Sequence, residues 1–387
     1  MKYYTAITAL IIALLLAFNA SAQPYAIGYM QDSFYDDIRQ REVPVHIYYP
    51  AQTPGTQVAV AAGSFPVLVF GHGLAMVWSA YENYWTELVP KGYIMVFPTT
   101  EGGVIPSPDH GAFGEDLLFL NKKMKLMGQD TSSLFYQHVA YESALMGHSM
   151  GGGASFLAAA NQAGISALVT FAPAETNPSA IDAAKHIDIP ALIFYGENDG
   201  VTPLNQHQMP MYQSLESSCK IIIGIKGGGH CFFANRNIIC EAAELLTTPQ
   251  PSISRAEQHK VIFDFLLPYL NYKLKQQQGQ MDIFLDSLQN SHRITYKKDC
   301  NSLNIKPNDK GGIHMFPNPL PHGNPLNIVF ENSANHIAVY NLKGEMIYFK
   351  TIERIHNQLD LNHLSKGFYT VRINTTHKDY MSKLIIH

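Results

Sequence analysis

The chain has 387 residues, of which 46% are hydrophobic and 11% aromatic, so it can bury one large core and a smaller second one. Its composition is that of a globular protein. A formal net charge of −4 without a long basic run argues against nucleic acid and against an anionic membrane surface as partners.

Residues 1–22 have the layout of a secretory signal peptide. A lysine at position 2 precedes an apolar run from Ala6 to Phe18, and Ala20-Ser-Ala22 supplies small residues for cleavage after Ala22. The alternative is an N-terminal membrane anchor, but the apolar run is short for a span. No later segment is apolar for long enough to cross a bilayer, which predicts a secreted or surface-attached protein, exported through the periplasm, without a transmembrane segment in the mature chain.

Four cysteines follow the predicted cleavage site, and three pairings are possible. An even number in an oxidising compartment predicts two disulfide bonds. Cys231 and Cys240 flank a short loop, which favours that pair and leaves Cys219 with Cys300. A metal site is the alternative, and the lack of a C-x-x-C spacing argues against it.

From about Pro44 to Lys275, short apolar runs alternate with helical patterns. Several runs are apolar on both faces, as in strands buried within a mostly parallel sheet. The predicted strands are Val43–Tyr49, Phe65–Phe70, Tyr93–Pro98, Ser143–Met146, Ala167–Phe171, Ala191–Tyr195 and Lys220–Ile225. The predicted helices are Ser79–Pro90, Phe113–Leu126, Met150–Ala163, Pro210–Ser217 and Ala256–Lys275. This order predicts an α/β fold with helices on both faces of the sheet.

The sequence pattern changes after Lys275. A polar stretch follows, and the run to Cys300 is assigned to the first domain because its cysteine ties it back. The predicted strands near the C-terminus are Leu326–Phe330, His336–Tyr340, Glu345–Thr351, Gln358–Leu361, Phe368–Asn374 and Lys383–His387, which favours a small β-sandwich. The resulting division is an α/β domain at 23–303, a linker at 304–314 and an all-β domain at 315–387.

The sequence Gly147-His-Ser-Met-Gly151 has the G-x-S-x-G spacing of a nucleophile elbow. It follows an apolar strand and opens a helix, which is the setting that such an elbow requires. A tight turn there needs neighbours without bulky side chains, and the helix N-terminus favours a developing negative charge. The alternative is a glycine-rich loop that only caps a helix. The setting predicts Ser149 as a nucleophile.

An acidic partner is expected after a later strand, at the carboxyl edge of the sheet. Asp199 follows the strand Ala191–Tyr195 and is the predicted acid. Glu197 is the substitute, whereas Asp188 precedes that strand and is disfavoured. The alternative is that Asp199 only shapes the turn before Pro203.

The histidine of a triad comes last in this chain order. His230 follows the last predicted sheet strand and three glycines, which would let a loop bring its imidazole to Ser149. The chain has 17 histidines, so position and not mere presence selects this one. His230 is therefore the predicted base.

Two backbone N–H groups are required to stabilise an oxyanion. Met150, directly after the nucleophile, supplies the first, and Leu74, after Gly71-His-Gly73, is the predicted second donor. His72 is predicted to be structural. Met76, Trp78 and Phe232 are candidates for an apolar substrate pocket.

These residues together resemble the α/β-hydrolase superfamily of serine esterases over roughly Pro44 to Lys275. The segment Leu192–Tyr212, Phe171-Ala-Pro173 and the Gly-Gly-His230 loop are similar to bacterial cutinase-like polyester hydrolases. The layout also resembles dienelactone-hydrolase-like and platelet-activating-factor-acetylhydrolase-like esterases. The resemblance implies hydrolysis of a small-molecule, lipid or polyester ester, poly(ethylene terephthalate) included, through an acyl-enzyme and without a metal or organic cofactor.

Two positions depart from the polyester hydrolases. Those enzymes usually carry an aromatic residue at the position of Leu74 and a tryptophan at that of Ala174, which makes Ala174 a further pocket candidate. Both aromatic groups would clamp an aromatic acyl group. Their absence predicts weak activity on aromatic polyesters and leaves ester hydrolysis itself untouched.

The tail resembles a type IX secretion C-terminal sorting domain. Met315-Phe-Pro-Asn-Pro319, Ile337–Gly344, Leu359–Val371 and Lys383-Leu-Ile-Ile-His387 carry the resemblance in order. It implies recognition by the type IX secretion machinery, a Bacteroidota-type outer membrane, and removal of the tail on release or surface attachment. The alternative is a carbohydrate-binding β-sandwich. A sugar-binding face would be expected to expose tryptophans, and this segment contains none.

Two other functions remain open at this point. The same triad serves amidases and acyltransferases, which the sequence hardly separates from esterases. A catalytically inactive surface-binding protein is the non-enzymatic alternative, although such proteins usually lose a triad member.

Overall fold

The computed structural model describes residues 24–160, 162, 164–300, 313–318, 320–330, 334–341, 344–352, 356–375 and 379–386. The predicted signal peptide and most of the predicted linker lie outside these residues. The chain divides into two compact units, Met1–Cys300 and Asn301–His387.

The first unit is built on a ten-stranded sheet with the order β10-β9-β8-β7-β6-β4-β5-β2-β1-β3. Its strands are β1 Ala26–Asp36, β2 Arg41–Ala51, β3 Gly55–Thr56, β4 Phe65–Gly71, β5 Ile94–Pro98, β6 Val139–His148, β7 Ala167–Phe171, β8 Ala191–Gly196, β9 Cys219–Ile225 and β10 Ile294–Cys300. The central strands β5, β4, β6, β7, β8 and β9 pair in parallel, whereas β2 and β10 flank them antiparallel. The predicted mostly parallel α/β sheet is confirmed.

Eight α-helices are described, and all of them belong to this unit. They are α1 Glu82–Leu88, α2 His110–Met127, α3 Met150–Ala159, α4 Ala180–Ala184, α5 Gln208–Ser214, α6 Ile238–Leu245, α7 Arg255–Lys275 and α8 Gly279–Asn290. Short 3-10 turns at Trp78–Tyr81 and Val89–Lys91 extend α1 at both ends, so the predicted helix at Ser79–Pro90 is divided into three pieces. The sequence patterns did not predict α4, α6 or α8.

The two faces of the sheet bury separate apolar cores, one under each layer of helices. Along β4, Val67 and Val69 pack into one core, and Leu68 and Phe70 pack into the other. All four side chains are fully buried. This double burial explains why the central strands appear in the sequence as continuous apolar runs.

The missed strands β1 and β10 lie toward the edges of the sheet. β10 contains Lys297, Lys298 and Asp299, and most of its residues are exposed to solvent. It is placed by antiparallel pairing with β9, in which Cys300 lies opposite Cys219. A polar edge strand lacks the alternating or continuous apolar residues by which strands are predicted from sequence.

The second unit contains a three-stranded antiparallel sheet and a four-stranded one. The strands are β11 Ile313–Phe316, β12 Leu326–Phe330, β13 Ala334–Tyr340, β14 Met346–Thr351, β15 His356–Leu359, β16 Gly367–Thr375 and β17 Asp379–Ile386. Apolar side chains from both sheets, among them Leu326, Leu359, Val339 and Val371, share one buried core. The predicted small β domain is confirmed, and its first described strand starts at Ile313.

Among the described residues, no helix combines the length and the apolar character needed to cross a membrane. Disulfide bonds, as predicted for an exported protein, join Cys219 to Cys300 and Cys231 to Cys240. The first links the paired strands β9 and β10, and the second links the loop after β9 to α6.

We expect removal of the Cys219–Cys300 bond to destabilise the protein more than removal of the shorter one. The bond closes a separation of 81 residues, against 9 for Cys231–Cys240. Loop-closure entropy then gives losses of about 4.5 and about 2.6 kcal/mol in the free energy of unfolding. Urea unfolding of the C219A/C300A and C231A/C240A proteins measures both. A larger loss from the shorter loop would contradict this order.

Candidate active site

The predicted nucleophile lies on a strained turn between β6 and α3. Ser149 has φ 54° and ψ −121°, a backbone conformation that residues other than glycine rarely adopt. The neighbouring glycines leave room for it. A Cβ at Gly151 would lie 2.2 Å from the carbonyl of Gly71, and one at Gly147 would lie 2.3 Å from the Gly151 oxygen. The turn can therefore form only with glycine at both positions.

Backbone contacts hold Ser149 in place. Its N–H donates to the Phe171 oxygen at 3.0 Å, and its carbonyl accepts from the N–H groups of Gly153 at 3.0 Å and Ala174 at 2.9 Å. Within the described part of the chain, the Ser149 hydroxyl itself has no hydrogen-bond partner. The side chain is thus left available while its backbone is fixed.

The predicted acid and base are in direct contact. His230 Nδ1 lies 2.8 Å from Asp199 Oδ2, and both side chains are almost completely buried. Asp199 Oδ1 also accepts the N–H groups of Val201 at 2.9 Å and Thr202 at 2.8 Å. Because Nδ1–H donates to the carboxylate, Nε2 of the neutral imidazole is an acceptor.

The other two acids considered do not reach this histidine. Glu197 is exposed and accepts a hydrogen bond from Thr295 Oγ1 at 2.7 Å, on the edge strand β10. Asp188 is exposed ahead of β8. Ser149, Asp199 and His230 follow β6, β8 and β9, which are parallel neighbours or near neighbours, so all three lie at the same edge of the sheet.

Two residues beside this pair were missed by the sequence reading. Thr202 Oγ1 donates to Asp199 Oδ2 at 2.8 Å and lies 3.0 Å from His230 Nδ1. The fully buried Gln208 donates to Thr202 Oγ1 at 3.0 Å and to the Pro173 oxygen at 3.0 Å. An Asp with a threonine three positions later is a local turn signal that could have indicated Thr202. No local signal indicates Gln208.

The predicted oxyanion donors both follow parallel strands of the sheet. Met150 begins α3, where the first N–H groups of a helix have no partner within the helix. Leu74 follows β4 and is half exposed, and its N–H makes no hydrogen bond to any described residue. His72 is buried between the carbonyls of Gly73 and Thr100, at 3.0 and 2.9 Å from its two ring nitrogens.

A buried Tyr81–His148 pair connects the loop after β4 with the loop after β9. Gly73 N–H donates to Tyr81 Oη at 2.8 Å, and Tyr81 Oη lies 2.9 Å from His148 Nδ1. His148 Nε2 lies 3.1 Å from the His230 carbonyl. Only an N–H can bond to that carbonyl, so Nε2 carries the proton and Nδ1 accepts from the tyrosine. Burial, followed by the nearby His230, lowers the pKa of His148 well below its ordinary value.

The four predicted pocket residues have different surroundings. Ala174 contacts the elbow through its N–H, and Met76 is buried with its sulfur 3.2 Å from Tyr81 Oη. Trp78 is half buried and stacks on His46 at a centroid distance of 4.0 Å. Phe232 is half buried with the Arg255 guanidinium 4.5 Å above its ring. A shared pocket for all four therefore stays a prediction.

Residues 44–245 match the family model described as PET hydrolase-like. The chain belongs to the PET hydrolase-like family. Among similar proteins, Cutinase est1 of Thermobifida alba is 34% identical over 173 residues, covering 44% of this chain and 52% of the relative. The Bis(hydroxyethyl) terephthalate hydrolase of Streptomyces coelicolor is 26% identical over 176 residues, with coverages of 44% and 50%.

A further cutinase, est2 of Thermobifida alba, is 32% identical over 186 residues, covering 48% of this chain and 56% of the relative. This PET hydrolase-like chain thus spans about half the length of the relatives it matches. The predicted membership of the cutinase-like α/β hydrolases is confirmed.

Residues 314–387 match a second family model, described as a secretion system C-terminal sorting domain. The predicted resemblance of the tail is confirmed. Its type IX sorting domain directs this PET hydrolase-like protein to the cell surface or the medium.

We expect the protein to lose stability as the pH falls below about 6.5, the ordinary pKa of histidine. His148 has a lowered pKa in the folded protein, so the unfolded chain binds a proton that the folded protein does not. The free energy of unfolding then falls with decreasing pH by up to about 1.4 kcal/mol per pH unit for this residue. Urea unfolding between pH 8 and pH 5, at about one-unit steps, measures this slope.

The matched comparison is His148→Asn against His186→Asn, since His186 is exposed. The first substitution should reduce the slope by the share of one proton, since burial also lowers the pKa of His72 and keeps part of the slope in place. The second should leave the slope as in the wild type. Equal slopes in both variants would show that another group carries the pH dependence.

Proposed function

We propose that this protein hydrolyses carboxylic esters with Ser149 as nucleophile, His230 as general base and Asp199 as the acid that orients the imidazole. One observation carries the proposal: the buried 2.8 Å contact between His230 Nδ1 and Asp199 Oδ2 at the sheet edge that also bears the strained Ser149 turn. The names of the cutinase and terephthalate-ester hydrolase relatives agree with this chemistry.

The first half of the reaction acylates the serine. His230 Nε2 removes the proton from Ser149 Oγ, and the oxygen attacks the ester carbonyl. The backbone N–H groups of Met150 and Leu74 donate to the resulting oxyanion. The imidazolium is stabilised by Asp199 and then gives its proton to the departing alcohol.

The second half releases the acid. His230 Nε2 takes a proton from water, which attacks the acyl carbonyl, and the tetrahedral intermediate again places its oxygen against the same two N–H groups. Collapse returns the proton from His230 to Ser149 Oγ. Thr202 and Gln208 support the reaction indirectly, because their hydrogen bonds hold Asp199 in one orientation.

An apolar ester is the substrate class that the surroundings favour. Large aliphatic side chains stand exposed in segments that follow β4, β5 and β9, which end at the sheet edge of the proposed site. These side chains are Leu74, Val77, Val104, Ile105, Ile238 and Ile239. Exposed apolar groups near one edge suit a hydrophobic ester, including a polyester chain. Aliphatic side chains where polyester hydrolases carry aromatic ones favour aliphatic over aromatic acyl groups.

We expect Ser149→Ala to abolish hydrolysis of p-nitrophenyl esters. Loss of the nucleophile removes the acylation route, so kcat/KM should fall by about three orders of magnitude or more. Rates over graded acyl lengths would then define the substrate preference, with bis(hydroxyethyl) terephthalate as the aromatic test compound.

Ser155→Ala is the matched control, since this serine lies on the same helix α3 but donates to the Met146 and Gly151 carbonyls. Its activity should stay close to that of the wild type. Wild-type rates in the S149A protein would overturn the proposed mechanism. Labelling of Ser149 by a fluorophosphonate without ester turnover would favour amide or acyl-transfer chemistry.

A further inference from the structure

A buried carboxylate lies directly against the backbone of the proposed base, outside the triad. Glu244, on α6, is 3% exposed, and its Oε1 accepts the N–H groups of His230 and, at 3.2 Å, Cys231. Nothing in the proposed reaction uses this acid. Burying a carboxylate costs free energy unless hydrogen bonds replace the lost contacts with water. The position of Glu244 beside His230 therefore calls for an explanation.

The glycines before His230 make room for this contact. A Cβ at Gly229 would lie 2.4 Å from Glu244 Oε1, and one at Gly228 would lie 2.9 Å from Gln258 Oε1. Any side chain there would push the loop away from both polar groups. The absence of side chains in this run of glycines thus lets the Glu244 carboxylate and the Gln258 amide reach the backbone of the loop.

Gln258, on α7, is the neutral counterpart of Glu244. It is fully buried, its Oε1 accepts the Gly229 N–H at 2.9 Å, and its Nε2 donates to the Gly229 oxygen at 2.9 Å. Both polar groups of Gly229 are therefore bound by one side chain. Two helices, α6 and α7, hold consecutive residues of the loop that carries the proposed base.

Each charged or titratable group that faces Glu244 comes from a different neighbouring element. They are His230 after β9, Asp199 after β8 and Arg255 on α7. Arg255 is itself bound by Glu241, one turn before Glu244 on α6, at 2.6 Å, and it donates to the Cys231 carbonyl. Burial raises the pKa of Glu244 above its ordinary value, and the charge of Asp199 adds to this rise. The N–H groups of Cys231 and His230 and the charge of His230 offset only part of it.

We infer that Glu244 is a positioning residue for His230, acting in two ways: its oxygen fixes the backbone of the histidine, and its negative charge stabilises the imidazolium formed during ester hydrolysis. This inference rests on the proposed function. Gln258 supplies only the first effect, because it holds the same loop without carrying a charge. The pair therefore allows the two effects to be separated experimentally.

The test measures kcat, KM and the pH–rate profile with a p-nitrophenyl ester for the full-length variants. Glu244→Gln keeps an oxygen that can accept both N–H groups but removes the charge. We expect kcat to fall about threefold to tenfold, KM to stay within about twofold, and the acid limb of the profile to move about half a pH unit or more toward lower pH.

Glu244→Ala removes both effects, and we expect kcat to fall about 10- to 100-fold. Gln258→Ala should lower kcat by about tenfold and leave the acid limb in place, because no charge is lost. Glu257→Gln is the control for net charge, since Glu257 is exposed and adjacent to Gln258. It should match the wild type in all three measurements.

The possible failures are distinguishable. An active wild type in which E244Q matches E257Q, in both rate and acid limb, would overturn the inference and leave the proposed function standing. A fall in kcat of E244Q with an unmoved acid limb would overturn the electrostatic part. Wild-type protein that turns over no ester, like S149A, would overturn the proposed function and this inference with it.

Discussion

The close approach of Gly151 to Gly71 is the contact on which the site depends. Ser149 can occupy its positive-φ turn because no side chain separates the start of α3 from the end of β4. That approach brings the loop that contains Leu74 next to the helix that begins with Met150. The serine and the two proposed oxyanion donors are thus positioned by backbone packing, which side-chain motion cannot loosen.

The acid and the base are positioned differently, by buried hydrogen bonds. Asp199 is held by N–H groups of its own turn and by Thr202, while the glycine loop before His230 is held by Gln258. In a low-dielectric interior such bonds are strong, and a missing partner is expensive. The network therefore favours one arrangement of the Asp199–His230 pair.

The tail and the disulfide bonds are consistent with each other. A type IX sorting domain directs the chain out of the cell, and disulfide bonds persist in such oxidising surroundings. One bond secures the edge strand β10, and the other secures the start of α6, close to the loop that carries His230. Only the Cys231–Cys240 bond adjoins the proposed site, so export and the architecture of that site are linked through this one covalent bond.

Sequence by itself determined the central strands and the residues that follow them. Strands such as β4 and β8 are buried on both faces and so appear as continuous apolar runs, and Ser149, Asp199 and His230 each follow such a run. The polar strand β10 and the contacts of Glu244 and Gln258 were decided by the tertiary structure alone. Glu244 lies 14 residues from His230, and Gln258 lies 29 residues from Gly229. A local sequence pattern cannot predict hydrogen bonds over such separations, because they form only when the chain folds.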